Sequence, residues 1–239
     1  MALILLAHGS RHRDTAPALE KVRRQVASVC PEPVRLAWLN LAQPSLERVC
    51  AELAQAGHTR AVAVPLLFTD AFHARIDVPH QAGTIGHLDL TTTAGLGLGE
   101  GVRQALITRI HQVQRTSSDV LIMAVGSSDP AANQDVIDFA ARVQQTVPGK
   151  VTAGFVVGTA PGPKGPAAVQ AAAKTARERG RELIVAPLFT LPGLLWDKVT
   201  TVDKVTTAPA VRYAQPLAEL LTPLIMSRWN SAQSAMCRC

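Results

Sequence analysis

Apolar residues in this chain fall into short unbroken runs, and these runs alternate with stretches where apolar side chains recur every third or fourth position. In the first half, residues 3–7, 35–39, 61–67 and 88–92 read as strands. Residues 16–29 place Ala18, Val22 and Val26 on one helical face with charges on the other, and residues 101–113 form a closing helix. Between them, Pro44 suits a first helical turn, Leu46, Val49, Cys50 and Leu53 are spaced for burial, and Gly57 ends that helix. The second half repeats the scheme, with strands at 120–124, 151–157 and 183–188 and helices at 134–146, 167–179 and 217–229. Strands apolar on both sides, alternating with helices, imply a parallel sheet covered on both faces.

The likeness of the halves extends to the residues. Leu3-Ile4-Leu5-Leu6-Ala7-His8-Gly9-Ser10 aligns with Val120-Leu121-Ile122-Met123-Ala124-Val125-Gly126-Ser127 at an offset of 117. Val62-Ala63-Val64-Pro65-Leu66 aligns with Ile184-Val185-Ala186-Pro187-Leu188 at 122, and Leu98 with the helix through Arg109 aligns with Leu217 and the helix through Arg228 at 119. Three blocks in one order indicate two copies of one unit. The expected architecture is α/β, two tandem domains at 1–117 and 118–239, each a small parallel sheet flanked by helices on both faces.

Composition narrows the function classes. The 239 residues carry 24 Lys+Arg against 18 Asp+Glu, a formal charge of +6, which favours an acidic partner or simply a solvated basic surface. Nucleic acid is disfavoured, because aromatics make up only 4% and basic residues are scattered singly. A small polyanion fits better. Uncharged apolar runs are too short for a membrane span. The apolar N-terminus lacks a basic leader and reads as a first strand, and the cysteines at 30, 50, 237 and 239 form no disulfide framework, so the expected location is the cytoplasm. Cys237 and Cys239 read as a frayed tail, since two thiolates fall short of a zinc site.

In parallel open sheets, ligands bind beyond the carboxyl ends of the strands. There the first half carries His8-Gly9-Ser10-Arg11 after its first strand and Phe68-Thr69-Asp70-Ala71-Phe72-His73 after its third. All seven histidines lie in the first half, although Lys+Arg and Asp+Glu divide equally between the halves. Val125 stands in place of His8, and His73 falls opposite Leu195 or a close neighbour. A lone histidine after a strand is commonly a satisfied polar residue. Two at neighbouring strand ends can hold a divalent metal in an open site, or supply a base near neutral pH. The Gly9-Ser10 turn exposes backbone donors suited to an anion, and Arg11 adds a bidentate partner for a carboxylate. Gly95, Gly97 and Gly99 lack the spacing of a dinucleotide loop, and neither a nucleophile elbow nor a Walker loop occurs.

Leu6-Ala7-His8-Gly9-Ser10-Arg11, Gln43-Pro44-Ser45-Leu46, Val64-Pro65-Leu66-Leu67-Phe68 and His73-Ala74-Arg75-Ile76-Asp77-Val78-Pro79 together resemble the sirohydrochlorin chelatases of the class II chelatase group. The likeness is strong over residues 1–115 and weaker beyond. It implies insertion of Fe2+ or Co2+ into sirohydrochlorin, a polycarboxylate tetrapyrrole, for siroheme or cobalamin. It makes His8 and His73 the catalytic, metal-binding pair, with His8 also taking macrocycle protons, and has Gln43, Phe68, Thr69, Asp70, Ala71 and Phe72 line the tetrapyrrole, whose carboxylates would give Ser10 and Arg11 their purpose as substrate-binding residues. The chain departs from the family pattern at Ala71, usually Gly, and Gln43, usually Glu, which makes Asp70 or Asp77 a substitute carboxylate. The resemblance further implies one active site in a cleft between the domains, a monomer with two fused domains, and no cofactor beyond the substrate metal. The absence of a His-rich stretch favours iron. The competing reading is a non-catalytic protein that delivers a tetrapyrrole or metal.

Overall fold

The computed structural model describes residues 1–68, 88–114, 117–200 and 211–236. Two four-stranded parallel sheets organise it. The first runs β2-β1-β3-β4, from β1 (Ala2–Ala7), β2 (Val34–Trp38), β3 (Arg60–Pro65) and β4 (Asp89–Thr92). The second runs β6-β5-β7-β8, from β5 (Ser118–Ala124), β6 (Val151–Phe155), β7 (Glu182–Pro187) and β8 (Val211–Tyr213). The helices are α1 (Thr15–Ala27), α2 (Leu46–Gln55), α3 (Glu100–Val113), α4 (Pro130–Gln144), α5 (Gly165–Glu178), α6 (Leu194–Thr200) and α7 (Thr222–Met236). Among these residues no helix is long and apolar enough to cross a membrane.

Strand alternation explains the layering. Ala2, Ile4 and Leu6 of β1 point to one face and pack with Ala37, Ala61 and Ala63 beneath Leu46, Val49, Cys50 and Leu53 of α2. Leu3 and Leu5, equally buried, serve the opposite face. The registers of the two sheets correspond, Leu3 pairing with Val34 as Val120 pairs with Val151, so the duplication seen in sequence is a duplication of hydrogen-bonding frame.

Most expected elements stand within a few residues of their observed bounds. The helix expected at 134–146 starts at Pro130, because the Asp129 carboxylate accepts from the Ala131 amide and Pro130 occupies the first turn. The pattern does not reveal α6 or β8, both too short for a periodicity to register.

The compact units exchange their closing helices. One comprises Met1–Gly99 with Ala218–Cys239, the other Glu100–Leu217, so the chain changes unit at the start of each closing helix. Thus α3 packs on β7 and α4, while α7 packs on β3 and α1. The anchoring is duplicated too. Arg109 of α3, 7% exposed, donates to the carbonyls of Pro216 (2.9 Å) and Leu217 (3.4 Å), and its repeat counterpart Arg228 of α7 donates to Leu96 (3.2 Å). Each guanidinium offsets part of its desolvation by binding carbonyls of the loop that precedes the other copy's closing helix. Apolar periodicity shows that a helix has a face to bury, but not which sheet receives it.

The sheet–helix layers differ in filling. Trp38 bridges to Ser45 as Phe155 bridges to Lys164, which equates Val49 with Ala168, Leu53 with Ala172 and Leu46 with Gly165; the strand registers equate Ala37 with Gly154. All four positions are smaller in the second unit. A groove of about 230 Å³ follows, floored by Leu121, Thr152 and Gly154 and walled by Ala168, Ala172 and Thr175. Ala172→Leu is expected to refill part of it and raise unfolding stability by about 0.5–2 kcal/mol, measured as a shift in urea midpoint at unchanged m-value.

Candidate active site at the carboxyl end of the first sheet

The β1–β2 ladder does not stop where the strands do. The Leu39 amide donates to Ala7 O and the Asn40 amide to His8 O, both at 2.9 Å, so His8 is held in register one residue past β1. Gly9 then turns with φ +104, and a Cβ there would lie 1.6 Å from the carbonyl oxygen of Asn40. No other residue fits this approach. The turn continues through Ser10, whose hydroxyl accepts from the His12 amide (3.1 Å), and His12, whose Nδ1 accepts from the Asp14 amide (3.3 Å), into α1. His8 is partly exposed and Arg11 exposed.

The parallel order brings the carboxyl ends of β2, β1 and β3 to one sheet edge. His8, Ser10, Arg11 and Gln43 all follow strands ending there, as does partly buried Phe68, three residues past β3; the Leu66 amide still pairs with Leu6 O at 2.8 Å. Gln43 has a local task, since its Oε1 accepts from the Ser45 amide (3.1 Å), and the Ser45 hydroxyl in turn caps α2 by accepting from the Arg48 amide (3.3 Å). Thr69, Asp70, Ala71, Phe72, His73 and Asp77 lie outside the described residues. Among the described residues no group of three or more His, Cys, Asp or Glu is placed to hold a metal. Cys30 and Cys50 are free and buried, and burial pushes the Cys50 thiol up to about 11, leaving it neutral at pH 7.

Two residues here escaped the sequence reading. Asn40 pins His8 through its backbone. Leu41 follows with φ +62, a left-handed conformation that costs a residue with a side chain about 1–2 kcal/mol. The signal lay in the repeat: Val157 donates to Val125 O (2.9 Å) as Asn40 does to His8 O, so Leu41 corresponds to Gly158, where φ is +91.

The second unit builds the same turn and closes it. Gly126 has φ +91, with a Cβ position 2.1 Å from Val157 O. Asn133, 4% exposed, accepts from the Ser127 amide (2.9 Å) and donates to Ser127 O (2.8 Å), while the Thr159 amide also donates to Ser127 O (3.1 Å). Ala16 stands where the 117-residue offset places Asn133, and among the described residues the Ser10 amide and carbonyl have no equivalent partners. The first turn carries an imidazole; the second has its Ser127 amide bonded to Asn133 and carries a valine.

These features define a duplicated parallel α/β protein with a one-sided strand-end site. The CbiX family model matches residues 2–113 and again 119–230, so the chain belongs to the CbiX family and contains two copies of its unit. The sirohydrochlorin ferrochelatase of Bacillus subtilis (strain 168) is 25% identical over 209 residues, covering 83% of this chain and 77% of the relative. The sirohydrochlorin cobaltochelatase of Sulfurisphaera tokodaii is 26% identical over 119 residues, 48% of this chain and 96% of its own. In fold, the chain is similar to SirB from Bacillus subtilis with Fe3+, at TM-score 0.75 and 23% identity, covering 96% of this chain and 94% of that one. It is also similar to CbiX, described as the terminal enzyme for biosynthesis of siroheme in denitrifying bacteria, at TM-score 0.71 and 21% identity over 97% and 99%.

The glycine constraint makes a ranked prediction. Gly9→Ala and Gly126→Ala are each expected to lose about 2–4 kcal/mol through backbone collision and strain. Gly57→Ala, at φ +84 with nothing within 4 Å, should lose only about 1 kcal/mol. Urea unfolding of the three variants checks the order.

Proposed function

We propose that this protein is a chelatase that inserts a divalent metal, Fe2+ or Co2+, into sirohydrochlorin, with the metal entering as substrate. The observation that carries the reading is the doubled CbiX match, together with an imidazole held at the open strand end of the first copy alone. Both ferrochelatases and cobaltochelatases occur among the relatives, and the lack of a His-rich stretch favours iron.

In this reading the first copy carries the chemistry and the second is degenerate at the equivalent positions. His8 and His73 bind the incoming metal, and His8 accepts the pyrrole protons that the metal displaces. A neutral imidazole suits both tasks at pH 7, since it coordinates divalent metals without the grip of a thiolate cluster and takes protons near neutrality. The substrate's carboxylates are received by the open Ser10 amide and the Arg11 guanidinium, which is exposed and therefore carries little desolvation cost before binding. Gln43, Phe68, Thr69, Asp70, Ala71 and Phe72 complete the lining, and Asp70 or Asp77 supplies the carboxylate that Gln43 lacks. The enzyme acts as a cytoplasmic monomer of two fused repeats.

Anaerobic absorbance titration of sirohydrochlorin with Fe2+ and with Co2+ tests the assignment. Wild-type protein should metallate many equivalents, whereas a metal or tetrapyrrole carrier would stop at one. His8→Ala is expected to lower turnover by about 100-fold or more with an unchanged thermal midpoint, and undiminished turnover in that variant would remove His8 from the mechanism.

A further inference from the structure

The turn after β2 and its counterpart after β6 use the same left-handed step, but with different residues. In the second copy the position is Gly158, at φ +91, where a Cβ would fall 2.6 Å from Ser127 O. In the first copy it is Leu41, at φ +62. Glycine is the residue that this backbone favours, and the chain uses it in one copy. Leucine in the other gains nothing from burial, because Leu41 is 58% exposed, the joint highest exposure among the described large hydrophobic residues. A side chain held at a left-handed backbone position, without burial to offset the strain, points to a role outside the fold itself.

Its location says which ligand. The residue before it, Asn40, is bonded to His8 O, and the second-copy counterpart lies against Ser127, the equivalent of Ser10. Position 41 therefore follows directly on the backbone partner of His8, and it adds an apolar surface beside the polar groups of the turn. We propose that Leu41 is a substrate-contacting residue whose side chain packs against the apolar face of the tetrapyrrole, setting the macrocycle beside His8 while Ser10 and Arg11 take its carboxylates. The inference rests on the chelatase reading above and adds to it a recognition element for the ring itself.

The test compares Leu41→Gly and Leu41→Met with wild type, titrating metal-free sirohydrochlorin by absorbance and recording thermal midpoints. Leu41→Gly relieves the left-handed strain, so its midpoint should hold or rise, while the dissociation constant rises about tenfold with the loss of one buried leucine side chain. Leu41→Met, of similar volume, should bind within about threefold of wild type. In turnover, Leu41→Gly should raise KM and leave kcat within about twofold, because the contact exists before and during metal insertion. Equal affinity of wild type and Leu41→Gly would overturn the inference and leave the chelatase reading standing. A midpoint that falls together with affinity would make Leu41 a structural residue and overturn it as well. Failure of wild type to bind sirohydrochlorin would overturn both.

Discussion

The approach of Gly9 to the carbonyl oxygen of Asn40 is the constraint on which the candidate site depends. With no room for a Cβ between them, the chain can continue the β1–β2 ladder past the strand, fix the backbone of His8 by a hydrogen bond, and reverse direction toward α1 within a few residues. An imidazole on a free loop would spend most of its time elsewhere. Here the continued β1–β2 ladder sets its backbone position.

The same constraint occurs at Gly126 and Val157, and its recurrence shows what duplication preserved and what it released. Backbone geometry was kept in both copies: strand order, register, the left-handed glycine and the paired amide. The side chains around that frame diverged. Among the described residues the Ser10 amide has no such partner, whereas in the second copy Asn133 and Thr159 bond to Ser127. Packing diverged as well, since the positions of Leu46, Val49 and Leu53 in α2 became Gly165, Ala168 and Ala172 in α5, beside which a groove opens.

The closing helices add a second layer of order. Because α3 belongs to the unit formed by the later strands and α7 to the unit formed by the earlier ones, each unit is completed by residues from both sequence repeats. Arg109 and Arg228 anchor this arrangement by donating to carbonyls at the entry of the opposite closing helix. A buried guanidinium left without those acceptors would be costly, so the two arginines tie the exchanged path to a specific loop geometry.

Local pattern determined the element types, the strand-helix alternation, the duplication and the asymmetry in histidines, because each depends on periodicity or on residue identity at aligned positions. The turn at His8, Gly9 and Ser10 was legible for the same reason: a strand-ending apolar run followed by a glycine and a polar residue marks where the chain leaves the sheet. What tertiary structure alone decided were relations between distant segments. Asn40 and Leu41 lie beside His8 only because β2 lies beside β1, and each closing helix joins the other repeat's unit, since an amphipathic face specifies that it must be buried without specifying the surface that buries it. The short elements α6 and β8 were invisible for a related reason. A helix of seven residues and a strand of three carry too few positions for a period to emerge, and they exist because neighbours already in place supply the contacts and hydrogen bonds that their own sequences cannot.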